Sequence, residues 1–259
     1  ERFFNLDALV KAEEERQILG NDEFGITEVS RAQRLREAHV VAKVVNGVSW
    51  FIMGWVLFYP RPYGAAIAVG LLFPVFIMMV MYLYRGLMRA DEHEKSAYPS
   101  MALGFGIVTA SAALRAVLDF SILDYKDGWY IMAVMALVLT AAYAYPSGEW
   151  KLHHIKDYFF IGAMLLIMYM YSYGICVVTN CTLDRSEPHT FKTTVINKKV
   201  TKGKTYTYYL ILERWGTHRK SEDVTVSKAE YESVQPGEQV DIVQHDGYLK
   251  MPWIEVRVD

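Results

Sequence analysis

Arg115 and Asp119 stand four residues apart in an otherwise apolar stretch, SAALRAVLDF (111–120). On a helix that spacing places both on one face, where they can pair. A charge held in hydrocarbon costs from about 3 kcal/mol upward when unpaired. The two residues are therefore either a functional site inside a membrane or a structural pair that fixes helix packing. Asn46, in a second apolar stretch, is a candidate third member.

A second constellation lies in a polar loop. Glu149, His153 and Asp157 share a helix face by the same four-residue spacing. With Asp91 and His93 from a neighbouring loop they form the weak candidate set for a metal, since imidazole and carboxylate suit divalent ions. The plainer reading is a polar loop at the level of lipid headgroups. KGKT (202–205) is not a phosphate loop, because Lys198 stands where the motif needs glycine and a strand follows instead of a helix. DEHEKS (91–96) lacks the second histidine of a zinc-protease helix. NCT (180–182) has the form of a glycosylation acceptor. No nucleophile stands at a telling distance from a base, and nothing in the sequence calls for a cofactor.

The elements that carry these residues are mostly membrane spans. Of 259 residues 53% are hydrophobic, and they concentrate between about 40 and 178. A span needs roughly 20 mostly apolar residues. Five stretches qualify, at about 40–59, 63–84, 100–122, 129–145 and 158–178, the fourth being short. Tyr and Trp gather at their ends, as amphipathic rings do at headgroup level. The third span carries Arg115 and Asp119 and is rich in small residues: Gly104, Gly106, Ala110, Ala112, Ala113 and Ala116. Small residues let helices approach closely, so this span is expected at the centre of the bundle. Pro74 inside the second span is expected to kink it.

Arg31, Arg34, Arg36, Lys43, Arg85, Arg89, Lys95, Lys151 and Lys156 fall on one side of the spans, and only Arg61 and Lys126 on the other. The positive-inside rule then places the N-terminus in the cytoplasm and the C-terminal part outside. A net charge of −2 with no long run of one sign argues against nucleic acid as a partner. Cys176 and Cys181 are too few for a disulfide scaffold, and their pairing is left open by the sequence.

The domain reading is a cytoplasmic helical segment (1–38), a five-helix transmembrane bundle (39–180) and an extracytoplasmic β-domain (183–259). Residues 6–19 read as an amphipathic helix stopped by Gly20. SRAQ (30–33) has the form of a capping box opening a helix that continues into the first span. Beyond residue 188 the period changes to two. Five short strands and one helical turn capped by Ser227 predict a small all-β barrel of the OB or SH3-like kind, with HDG (245–247) as a hairpin turn.

YPRPYG (59–64), LRAVLD (114–119) and the tail YYLILERWG…VTVS…YESVQPGEQVDIVQHDGYLKMPW resemble an uncharacterised family of bacterial multi-pass inner-membrane proteins with a C-terminal β-domain. The resemblance covers most of the chain from about residue 25 and brings no activity with it. The leading expectation is non-enzymatic: a protein held in the lipid bilayer whose β-domain binds a protein partner, or a second copy, as a complex subunit, sensor or immunity-type protein. The alternatives are a small transporter or channel component using Arg115 and Asp119, and a membrane enzyme using the His and carboxylate cluster.

Overall fold

The computed structural model describes residues 6–89, 96–125, 128–147, 155–202, 206–216 and 221–257. Five of its helices are long and apolar enough to cross a membrane. They are α2 (Glu28–Phe58), α3 (Tyr63–Leu83), α4 (Ala102–Asp119), α5 (Gly128–Ser147) and α6 (Ile155–Thr182), preceded by α1 (Leu6–Gly20). At 20 residues α5 is about 30 Å long, enough for one hydrocarbon core. The expected short span is thus a full one. By contacts the chain divides into two units, Glu1–Arg115 with Met132–Ile175, and Ala116–Ile131 with Cys176–Asp259.

In the first unit α2 starts two residues before the expected Ser30. Its N-cap is Thr27, whose hydroxyl accepts the Ser30 N–H, while the Ser30 hydroxyl accepts the Thr27 N–H. Ser30 is the last residue of the box, at N3, not its first, because Thr27 supplies the extended cap backbone. The helical core is methionine-rich, with Met78, Met81, Met88, Met101, Met164 and Met168 around Phe105, Tyr143 and Tyr171. Phe105 and Tyr143 rings lie 4.5 Å apart. Large apolar side chains such as Phe51, Leu72, Val134, Leu137 and Leu166 are exposed on the spans, as lipid-facing positions must be.

Small residues set the helix crossings. A Cβ on Gly174 of α6 would meet the backbone of Ala112 and Ala113 at 3.2 Å, and one on Gly70 of α3 would meet Val56 of α2 at 3.0 Å. Pro74 lies within α3 as expected. Without its own N–H it leaves the Gly70 carbonyl lacking a donor, and the Tyr171 hydroxyl donates to the adjacent carbonyl, that of Leu71. A neighbouring helix thus helps to satisfy backbone next to the proline.

The second unit holds an antiparallel, barrel-like sheet of six strands in the order β1-β6-β5-β2-β3-β4. These are β1 (Ser121–Ile122), β2 (His189–Lys202), β3 (Tyr206–Leu212), β4 (Glu222–Val226), β5 (Gln239–His245) and β6 (Trp253–Arg257), with α7 (Lys228–Ser233) between β4 and β5. Strand β2 pairs with β5 over His189–Thr194 and with β3 over Val195–Lys202, changing partner at an irregularity beside Ile196. Its core is Val195, Leu210, Leu212, Trp215, Val224, Val240, Ile242 and Ile254. Ser227 caps α7 with Glu230 in a reciprocal box, as expected.

Two details differ from expectation. The sheet has a sixth strand, β1, drawn from the segment between α4 and α5, where Ser121 pairs with Ile254 and Ile122 with Trp253. And HDG is not a tight hairpin turn. His245 is the last residue of β5 and β6 begins only at Trp253. The intervening seven residues form a loop with Gly247 and Lys250 at positive φ.

Candidate functional site

Asn46 has a defined task at the start of α4. Its Oδ1 accepts the Gly104 N–H at 3.0 Å and its Nδ2 donates to the Ser100 carbonyl at 3.0 Å. Gly104 is the third residue of α4, one of the four whose N–H groups have no intrahelical acceptor. Asn46 is thus an N-cap supplied by a different helix. Arg115 lies eleven residues further along α4, about 16 Å away along the axis. Asn46 therefore does not join Arg115 in one site. Arg115 and Asp119 themselves stand in the last turns of α4, and both are half-buried.

Of the metal candidates, His93, Glu149 and His153, with Asp91, lie outside the described residues, and Asp157 falls in the first turn of α6. Among the described residues no group of three or more His, Cys, Asp or Glu converges on a point. Cys176 and Cys181 are both free and buried. Lys202 ends β2 and Tyr206 begins β3, so strands flank KGKT on both sides.

The acceptor asparagine of NCT is sealed. Asn180 is fully buried. Its Nδ2 donates to the Met251 carbonyl at 2.8 Å, its Oδ1 accepts the Leu249 N–H at 2.8 Å, and its own carbonyl accepts the Tyr248 N–H at 3.0 Å. One turn on, Asp184 Oδ2 accepts from Gly247 N–H and Trp253 Nε1, each at 2.9 Å, and Oδ1 accepts from Ser186 N–H at 2.8 Å. Desolvation works to raise the Asp184 carboxyl, but these donors outweigh it and hold the group below the usual carboxylate range. The 246–252 loop is thus clasped to the end of α6 by two polar side chains, neither of which stood out in the sequence.

In the β-unit, the β2–β3 hairpin has the most distinctive surface. Between His189 and Leu212 the sequence has five lysines, Lys192, Lys198, Lys199, Lys202 and Lys204, and no acidic residue. Directly opposed residues share a face of the sheet. The pairs Lys198–Leu210, Val200–Tyr208 and Lys202–Tyr206 therefore continue the face on which Leu210 is buried in the core. Beyond the core that face carries exposed apolar side chains between lysines, with Val200 at 41% and Tyr206 at 56%. Lys198 is folded back, its Nζ donating to the Val234 carbonyl at 2.6 Å over the Tyr231 ring. Alternation alone reports which residues share a face; it does not report where the core beneath that face stops, so this strip was missed.

The chain matches no family model, no curated protein and no solved structure.

Proposed function

We propose that the chain is a bacterial inner-membrane protein, N-terminus in the cytoplasm and β-unit in the periplasm, whose β-unit binds a protein partner as a complex subunit, sensor or immunity-type protein. The observation that carries this reading is the β2–β3 hairpin, where the apolar face runs past the core as exposed Val200 and Tyr206 between lysines. Tyrosine is enriched where proteins meet, because a rigid ring buries much area at little entropic cost. The lysine excess favours a partner with an acidic surface. The nine-to-two distribution of Lys and Arg around five spans supports the sidedness, and the resemblance to bacterial multi-pass inner-membrane proteins agrees with it.

Mild cross-linking in native membranes, followed by purification and mass spectrometry, tests the proposal. A stoichiometric partner, or a second copy, is expected with the wild-type chain. It should be lost when residues 183–259 are removed and weakened by Val200→Ser with Tyr206→Ala. A clean preparation with no partner overturns the reading. It would favour transport or conduction, whose supporting observation is the half-buried Arg115 and Asp119 in an otherwise apolar helix. Arg115→Ala would then abolish flux.

A further inference from the structure

Counting back about 20 residues, the length that crosses a hydrocarbon core, from Phe58 at the end of α2 reaches His39. At that level the first unit has a cavity of about 250 Å³ between α1 and α2. Its walls include Lys11, Glu15 and Leu19 of α1 and Leu35, Arg36 and His39 of α2. The His39 Nε2–H donates to the Ala97 carbonyl at 2.9 Å. A carbonyl only accepts, so Nδ1 is left to other partners. Arg36, His39 and Lys43 follow one another on one exposed face of α2, by steps of three and four. The basic residues thus run from the cavity toward the apolar part of the helix.

We infer that this cavity holds the phosphate of an anionic lipid headgroup. Lys11 and Arg36 supply two fixed charges from two helices, and a guanidinium matches phosphate oxygens two at a time. Basic pockets beside membrane helices are where headgroups are captured. The volume is below the roughly 300–1,000 Å³ of sites for drug-sized ligands, so the cavity takes a headgroup while the acyl chains stay in the bilayer against exposed Val40 and Val44. Glu15 leaves an excess of one fixed positive charge and adds an acceptor. That excess favours a headgroup of net negative charge over the zwitterionic choline headgroup, and the Glu15 carboxylate can accept from headgroup hydroxyls such as those of glycerol.

Native mass spectrometry of the full chain in mild detergent, titrated with phosphatidylglycerol or with phosphatidylcholine of the same acyl chains, reads the binding. Wild type is expected to retain phosphatidylglycerol preferentially. Arg36→Gln and Lys11→Gln should each weaken that retention roughly fivefold, and Lys228→Gln, the same charge change on α7, should not. Both test residues are exposed, and an unchanged unfolding temperature confirms that the variants fold. Equal retention of the two lipids by wild type overturns the inference, and so does a preference that survives both substitutions. Displacement of the lipid by millimolar inorganic phosphate overturns the lipid assignment and leaves a site for soluble phosphate.

Discussion

Asn46 and Gly104 fit each other as cap and close contact at once. The Asn46 carboxamide accepts the Gly104 N–H at 3.0 Å, and a Cβ on Gly104 would stand 2.5 Å from the same oxygen and 2.7 Å from Ser49 Oγ. Asn46→Ala should therefore cost about 1 kcal/mol, the usual worth of a cap. Gly104→Ala should cost about 1–3 kcal/mol through overpacking. In the Asn46→Ala background the oxygen that obstructs the new methyl is gone, so the double variant should lose less than the sum. Cys176 and Cys181 are free and buried, so a thiol-reactive dye reports unfolding in detergent and measures all three variants. Full additivity would mean that cap and contact act separately.

Asp184 gives the β-unit an acid limit. Its carboxyl lies below the usual range because it accepts from Ser186, Gly247 and Trp253. A lowered folded value means the carboxylate stabilises the fold above the unfolded value of about 3.9, and that stability is lost as pH falls through the folded value. Asp184→Asn removes the charge at every pH. At neutral pH the variant should be about 1–2 kcal/mol less stable than wild type. Below about pH 4 the two curves should converge. Trp253, which donates to Asp184, is one of the tryptophans whose fluorescence follows the transition. A gap that stays constant down to pH 2 would show that the carboxylate is not the source.

The five spans were legible because each needs only about 20 apolar residues in a row, a property of the local sequence. Capping of α7 by Ser227 was legible for the same reason: Glu230 lies three residues away. What escaped was decided across the chain. Ser121–Ile122 is two residues long and becomes a strand only because the edge of β6 is there to pair with it. HDG carries a strong local turn signal, yet Asn180 and Asp184, more than sixty residues upstream, hold a longer loop in its place. Of the proposed polar trio, Asn46 belongs to the opposite end of α4 from Arg115, a fact set by which helices pack together and not by the polarity of either stretch.

Glu14 anchors α1. One carboxylate oxygen accepts from Ser96 Oγ at 2.8 Å and the Ala97 N–H at 2.7 Å, and the other lies 3.4 Å from Arg89 Nη1. Ile18 and Phe24 complete the attachment in a small core with Leu35, Leu87 and Ala97. Glu14→Ala leaves the Ala97 N–H without its carboxylate acceptor and should raise hydrogen exchange over residues 6–20 by tenfold or more, equivalent to about 1.4 kcal/mol of lost protection. Exchange in α3 and α5 should not change. Glu14→Gln can still accept and should fall between the two. Unchanged exchange in α1 would show that the apolar contacts suffice alone.

The small residues of α4 do not all serve the same purpose, and substitution separates them. Ala112 and Ala113 are buried, at 4% exposure each, and the backbone there meets Gly174 of α6. Ala110 is exposed on the same helix. Close backbone approach is what small residues give a membrane crossing. Gly174→Val and Ala113→Leu should each force α4 and α6 apart and lower stability by about 1–3 kcal/mol. Ala110→Leu adds apolar surface toward lipid, which solvates a leucine as well as a neighbouring helix would, and should change stability by no more than about 0.5 kcal/mol. The thiol dye measures all three. If Ala110→Leu proved as costly as Ala113→Leu, the Ala110 face would be covered in the membrane, and a second copy of the chain packed through α4 would be the reading to pursue.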